Sequence, residues 1–255
     1  MILALDVGNT NIVLGCIEQG EIRNIVRMQT RVGETDAEYA IKLLQLLYIS
    51  EMNPKGFEGA ILSSVVPPVT GPLSQAVKKV TGLDCMVVGP GMKTGLNVRI
   101  DDPGTLAGDL LVGGVAALNC YGCPAIVMDL GTANTVTVVD KDGAFRGGAI
   151  LPGVKLGYAA LAAGTSLLPD ISITPPKKVI AANTVDCMRS GAVFGTAAIL
   201  DGMIERMEEE LGYPCKLIAT GGLASSITPY CRREIICDDD LLLKGLWILW
   251  QKNRK

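Results

Sequence analysis

The chain contains no histidine. That absence removes Ser-His-Asp and Cys-His catalysis, imidazole metal ligands and imidazole acid–base chemistry. Carboxylates, hydroxyls, amides, Lys and Arg remain, and phosphoryl transfer needs little more, because positioning and charge stabilisation carry it. An excess of basic charge is also missing: 23 Lys and Arg stand against 26 Asp and Glu, a net charge of −3. This argues against general nucleic-acid affinity, so a polyanionic ligand must be met locally, by backbone amides and metal ions. No apolar run reaches bilayer length, since Lys244 and Gly245 interrupt the stretch from Leu241 to Trp250. The N-terminus runs straight into Asp6 with no basic leader or cleavage site. The expectation is a cytoplasmic, soluble protein without membrane or nucleic-acid partners.

Low-complexity tracts and flexible linkers are lacking too, and apolar residues make up 49% of the 255, enough for an ample core. The eight cysteines sit mostly in or beside apolar runs of a long chain, so reduced, buried thiols are expected rather than disulfides. Cys120-Tyr-Gly-Cys123 has redox spacing but no second pair with which to build a zinc site; it reads as the turn between a helix and the next strand.

What is present is a repeat. Asp6-Val7-Gly8-Asn9-Thr10 is echoed at Asp129-Leu130-Gly131-Thr132-Ala133-Asn134-Thr135. Each copy follows an apolar run and precedes a second β-type run, so each reads as strand, tight turn, strand. The Gly lets backbone approach an anion, the hydroxyls and amides can bond to it, and the carboxylate can hold a cation beside it. One such turn often only closes a hairpin. Two of them, half a chain apart, imply two related lobes, expected at 1–118 and 119–255, each with a duplicated β-meander and helices. Such paired turns are used by actin-like (ribonuclease H-like) and sugar-kinase-like phosphotransferases, α/β proteins with the ATP cleft between the lobes.

The remaining pattern is α/β. Residues 1–30 read as a meander. Thr35 to Glu38 has capping-box spacing and opens a helix whose apolar residues are Ile41, Leu44, Leu47 and Tyr48. A strand from Gly59 to Val66 ends at Pro67-Pro68, with a helix from about Pro72 to Val80 and a short strand at Met86 to Val88. Residues 103–119 read as a helix on which Asp109, Gly113 and Ala116 fall near one another. A second meander starts near Pro124, a helix follows near Val154, and a long helix runs from about Met188 to Leu211 with small residues along one side. Lys216 to Thr220 is a strand feeding Gly221-Gly222, where a flat base or ribose can lie against backbone. The tail from Asp239 reads as a helix.

Taken in order, Asp6-x-Gly-Asn-Thr10, Gly89-Pro-Gly-Met-Lys-Thr-Gly95, Asp102-Pro103 followed by Asp109, Asp129-x-Gly-Thr-Ala133, Gly147-Gly-Ala-Ile-x-Pro-Gly153, Asn183-Thr184 and Ala219-Thr-Gly-Gly-Leu-Ala224 resemble the type III pantothenate kinases. The resemblance covers nearly the whole chain. It implies the acetate and sugar kinase/Hsp70/actin fold, a homodimer, and ATP-dependent phosphorylation of pantothenate to 4'-phosphopantothenate, the first committed step of coenzyme A synthesis, with Mg²⁺ and a monovalent cation such as K⁺ or NH₄⁺. It also implies roles for single residues. Asp6, Val7, Gly8, Asn9, Thr10, Asn11, Ile12 and Val13 would form the first phosphate loop, with Asp6 near the Mg²⁺ shell. Thr132 would contact ATP phosphate and Asp129 would bind the monovalent cation, while Gly221 and Gly222 take adenosine. Asp109 would be the base facing the substrate hydroxyl, and Thr184 would reach pantothenate, from across the dimer interface.

The acceptor segment departs from the family pattern. Where the family usually reads Gly-Ala-Asp-Arg, this chain has Ala107-Gly108-Asp109-Leu110, and the upstream Tyr is Ile100. A cation and a phenol are therefore missing from the substrate position. Losing a charge-assisted contact removes ~1.5–3 kcal/mol of binding; Arg99 and Lys93 are the nearby cations. In the second loop Asn134 stands where Thr is common. Three readings stay open: a pantothenate kinase with an adapted acceptor pocket, a kinase of another, less acidic small alcohol, and a non-catalytic ATP-binding accessory or regulatory protein.

Overall fold

A computed structural model describes residues 1–254. In chain order it has β1 (Ile2–Val7), β2 (Asn11–Glu18), β3 (Glu21–Gln29), α1 (Asp36–Ile49), β4 (Gly59–Ser64), α2 (Pro67–Thr81), β5 (Cys85–Val87), β6 (Asn97–Val98) and α3 (Gly108–Ala116). It continues with β7 (Ala125–Leu130), β8 (Ala133–Val139), β9 (Ala144–Pro152), α4 (Val154–Ala163), α5 (Thr184–Ser190) and α6 (Thr196–Leu211). The last elements are β10 (Lys216–Thr220), α7 (Ala224–Ile227), β11 (Ile236–Cys237) and α8 (Leu241–Asn253). Among the described residues, no helix is long and apolar enough to cross a membrane.

Two units result. The first comprises Met1–Gly95, Asp102–Asn119 and the chain from Leu241 onward; the second comprises Leu96–Asp101 and Cys120–Asp240. The division expected at 118/119 differs in two segments, and packing explains both. Helix α8 lies on β1 and β4 and against α3 in the first unit, and the short β6 pairs with β9 in the second.

The repeat seen in the sequence is a repeat of topology. The first sheet has the order β3-β2-β1-β4-β5, and the second runs β11-β10-β7-β8-β9-β6. In each, a three-stranded antiparallel meander is followed across the sheet by two parallel strands. Strands β1 and β7 even share one burial pattern, four buried residues, a half-buried Asp, then a buried apolar residue. Both Asp6 and Asp129 are the half-buried member.

In the first unit Leu3, Leu5 and Val7 of β1 and Ala60 and Leu62 of β4 enter one core cluster with Tyr39, Leu43 and Leu47 of α1 and Leu73, Ala76 and Val77 of α2. Strand alternation turns the intervening residues, Asp6 and Ser63 among them, to the other face, where α3 and α8 pack. The second unit's core joins Ile126, Met128 and Leu130 to Val136, Val138, Ala197, Leu200 and Ile204.

Several local expectations are corrected. Thr35 and Glu38 do form the capping box of α1, but the buried face is Tyr39, Leu43 and Leu47, while Ile41, Leu44 and Tyr48 are exposed. The i, i+4, i+8 set wins because its first member is a Tyr whose hydroxyl donates to the Arg31 carbonyl (2.8 Å) and so can be buried. Helix α2 begins at Pro67, five residues before the expected start, because Pro in a first helical turn forfeits no intrahelical bond. The helix expected over 103–119 starts later, at Gly108, after a single turn at Pro103–Thr105, and α3 runs on into a π-type turn at Ala117–Tyr121. The long helix after the Pro-rich loop starts earlier, at Thr184, and passes through a π-type turn at Gly191–Gly195. All eight thiols are free, yet only Cys16 and Cys215 are buried. Cys120 and Cys123 flank the turn into β7, as their spacing suggested.

Candidate active site

The first hairpin projects from the carboxyl end of β1. Gly8 N–H donates to the Asn11 carbonyl (3.0 Å), closing the turn. Thr30, just past β3, buttresses it twice: its hydroxyl donates to the Gly8 carbonyl (2.6 Å) and its N–H to the Thr10 carbonyl (3.0 Å). Asn9, Thr10 and Asn11 are exposed at the tip. Val7 and Ile12 are buried in the core, so of the eight residues expected in this loop these two can offer a ligand backbone only.

The second hairpin is one residue tighter. Leu130 pairs with Asn134, and Gly131 N–H donates to the Ala133 carbonyl (3.2 Å). Thr132 is exposed at its tip. Asn134, standing where Thr is common, is not at the tip. It shares the core face with Leu130, is buried, and its Oδ1 accepts no hydrogen bond.

Strand β10 runs parallel to β7 with Thr220 beside Asp129. The chain then turns at Gly221, where φ is +93° and any Cβ would collide with Asp129 Oδ1 and with the Leu130 backbone. Only glycine satisfies both demands. Gly222, next along, has open space where a Cβ would be. The second unit thus brings Asp129, Thr132, Gly221 and Gly222 to one end of its sheet.

Asp109 lies in the first turn of α3. The N-cap residue is Ala107, which supplies no capping side chain. Burial pushes the Asp109 carboxyl above its ordinary range, against the opposing pull of hydrogen bonds from Leu110 N–H (2.7 Å) and its own backbone. A raised carboxyl is a better proton acceptor than a free aspartate, which suits a base. The helix start rests on β4 through Gly108, where a Cβ would stand 3.0 Å from Ser63 Oγ. Because Asp6 and Ser63 are register partners on β1 and β4, the first unit gathers Asp6, Ser63 and the first turn of α3 on one face. Ser63 was not anticipated; only its place at the end of an apolar strand marked it.

Other acceptor candidates are distributed. Ala107, Gly108, Asp109 and Leu110 belong to the first unit, Ile100 and Thr184 to the second. Ile100 is half-buried beside Gly147, at 3.6 Å from where a Cβ would lie. Thr184 is exposed and opens α5; the capping side chain is Asn183, whose Oδ1 accepts from Asp186 N–H (2.9 Å). Lys93 sits in a loop clamped to α8, where Asn253 accepts from Lys93 N–H and donates to its carbonyl, both at 2.8 Å. Arg99 N–H donates to the Phe145 carbonyl (2.8 Å), and its side chain is exposed.

Among the described residues, no three His, Cys, Asp or Glu side chains group closely enough to hold a metal ion.

Comparison with known proteins gives the family and the fold. The family model for type III pantothenate kinase matches residues 2–206. The type III pantothenate kinase of Bifidobacterium animalis subsp. lactis (strain AD011) is 41% identical over 253 residues, covering 99% of this chain and 100% of that protein. Among solved structures, a Campylobacter jejuni protein described as a Baf family transcriptional activator superposes with a TM-score of 0.61 at 18% identity, over 98% of each chain. An inorganic polyphosphate/ATP-glucomannokinase from Arthrobacter sp. strain KM gives 0.50 at 14% identity, over 98% of each chain. These distant likenesses establish the actin-like α/β fold, and the closer match establishes more. The chain belongs to the type III pantothenate kinase family, phosphotransferases that phosphorylate pantothenate in coenzyme A biosynthesis.

Proposed function

We propose that this protein transfers the terminal phosphoryl group of ATP to the primary hydroxyl of pantothenate, and that Asp109 is the group facing that hydroxyl. The observation that carries the assignment is Asp109's position in the first turn of α3, with its carboxyl raised by burial. Such a carboxylate does not deprotonate an alcohol in advance; it orients the O–H and takes the proton late, as the loose transition state collapses. Asn9, Thr10 and Asn11 meet the phosphates with exposed amides and hydroxyls, and Thr132 does the same from the second hairpin. Gly221 and Gly222 receive adenosine.

Asp6 holds Mg²⁺ through water, and Asp129 holds K⁺ or NH₄⁺. Bound there, the cations neutralise phosphate charge. The protein is a cytoplasmic homodimer in this reading, with Thr184 reaching pantothenate in the partner's site. The exposed apolar residues Ile150, Leu156, Leu161, Leu167, Ile180 and Ile199 of the second unit support a covered face there.

One observation favours a second reading. Ile100 and Leu110, in place of a phenol and a guanidinium, give the acceptor position no cation of its own, which suits a less acidic alcohol. ADP release measured with MgATP alone, with pantothenate, and with its neutral analogue carrying an alcohol in place of the carboxylate separates the readings. Stimulation by pantothenate is expected; stimulation by the neutral analogue alone transfers the assignment to the second reading, and nucleotide binding without turnover overturns both.

A further inference from the structure

A hydroxyl without a partner lies under the start of α3. Ser63, the fifth residue of β4, is fully buried, and its Oγ makes no hydrogen bond. Leaving such a group unsatisfied is unfavourable, so its presence asks for a reason. Its surroundings supply one. On one side stands its register partner Asp6, at the base of the first hairpin. On the other stands Gly108, which has no side chain to shut the hydroxyl off.

The helix above is open at its positive end. α3 has nine residues, its N-cap Ala107 presents no acceptor, and of the first-turn N–H groups Leu110's is taken by Asp109 Oδ1. An uncapped helix N-terminus and a spare hydroxyl donor on the same face make a place for an oxyanion. The acceptor's reacting hydroxyl is uncharged and brings its own hydrogen-bond donor to Asp109, so that hydroxyl has no need of more donors. The phosphate chain expected at the hairpin of Asp6 is the anion nearest this face, because Asp6 is the register partner of Ser63.

We infer that Ser63 Oγ, with the free N–H groups at the start of α3, binds the terminal phosphate of the nucleoside triphosphate and holds it toward Asp109. The inference rests on the phosphotransferase reading and adds a residue to it. Ser63 contributes a hydrogen bond that a diphosphate cannot receive.

Calorimetry with Mg²⁺ and either ADP or the β,γ-imido analogue of ATP tests this without any acceptor. Ser63→Ala is expected to weaken the imido analogue about tenfold, the effect of one charge-assisted hydrogen bond, while ADP stays within about twofold. Gly108→Ala, which puts a methyl group against the same hydroxyl, is expected to show the same selectivity. Unliganded Ser63→Ala is expected to melt no lower than wild type, since no bond is lost. Unchanged affinities, or equal losses for both nucleotides, overturn the inference. Failure of the wild-type protein to phosphorylate pantothenate is a separate result that bears on the acceptor alone.

Discussion

Gly221 and Asp129 are packed together: at the left-handed Gly221 a Cβ would stand 2.4 Å from Asp129 Oδ1 and 2.7 Å from the Leu130 nitrogen. The turn at Gly221 and the hairpin that follows β7 are therefore one construction, and a change at one displaces the other. Gly221→Ala is expected to lower Tm and to reduce K⁺ stimulation of ADP release. Gly222→Ala, with open space at its Cβ, is expected to leave Tm unchanged while raising the KM for ATP. Melting curves and ATP titrations of the two variants check the contrast; identical behaviour would separate the adenosine turn from the cation position.

Asp109 trades stability for reactivity. Burial raises its carboxyl pKa in the folded chain, so between the unfolded value of about 3.9 and the higher folded value the folded state binds the extra proton. Stability therefore falls as pH rises through that window, and the penalty is complete above it. Asp109→Asn removes the charge, and is expected to raise Tm at neutral pH while abolishing turnover. In the wild type the acid limb of kcat should lie above the range of a free aspartate. A lower Tm for the variant, or an acid limb in the ordinary range, would contradict this.

Tyr121 donates to Asp238 Oδ2 (2.7 Å), tying the chain that enters the second unit after Asn119 to the chain that leaves it before Leu241. Asp238 is buried. Its carboxylate and burial both push the Tyr121 phenol upward, burial more strongly, so the bond persists into alkaline solution. Tyr121→Phe removes a hydrogen bond to a charged group and is expected to cost about 1.5–3 kcal/mol. For a chain of this size that corresponds to roughly 2–4 °C of Tm per kcal/mol, read by calorimetric melting.

Leu110 leaves the acceptor position without a guanidinium. Leu110→Arg is expected to raise kcat/KM for pantothenate about tenfold relative to the neutral analogue, the worth of a charge-assisted contact. Steady-state kinetics with both acceptors check it. An equal change for both would show that position 110 does not meet the carboxylate.

The duplicated architecture was legible because Asp-x-Gly turns flanked by apolar runs repeat at both the sequence and the strand level. The capping box of α1 and the strand β10 were equally plain. What was hidden depended on contacts distant in sequence. Nothing in the order of residues tells α8 to cover β1 and β4, or says that Tyr39 rather than Ile41 faces inward. The raised carboxyl of Asp109 and the bare hydroxyl of Ser63 arise only when α3 settles on β4. Asn134 was visible only as a replacement for Thr; its burial follows from pairing with Leu130 across the hairpin.

The most direct measurement mixes the purified protein with MgATP, K⁺ and pantothenate and identifies the product by mass spectrometry and ³¹P NMR, with Asp109→Asn run in parallel. The account predicts pantothenate esterified by one phosphoryl group at its primary hydroxyl, formed in step with ADP, and none from the variant. Unmodified pantothenate after complete ATP turnover, or full product from Asp109→Asn, would contradict it.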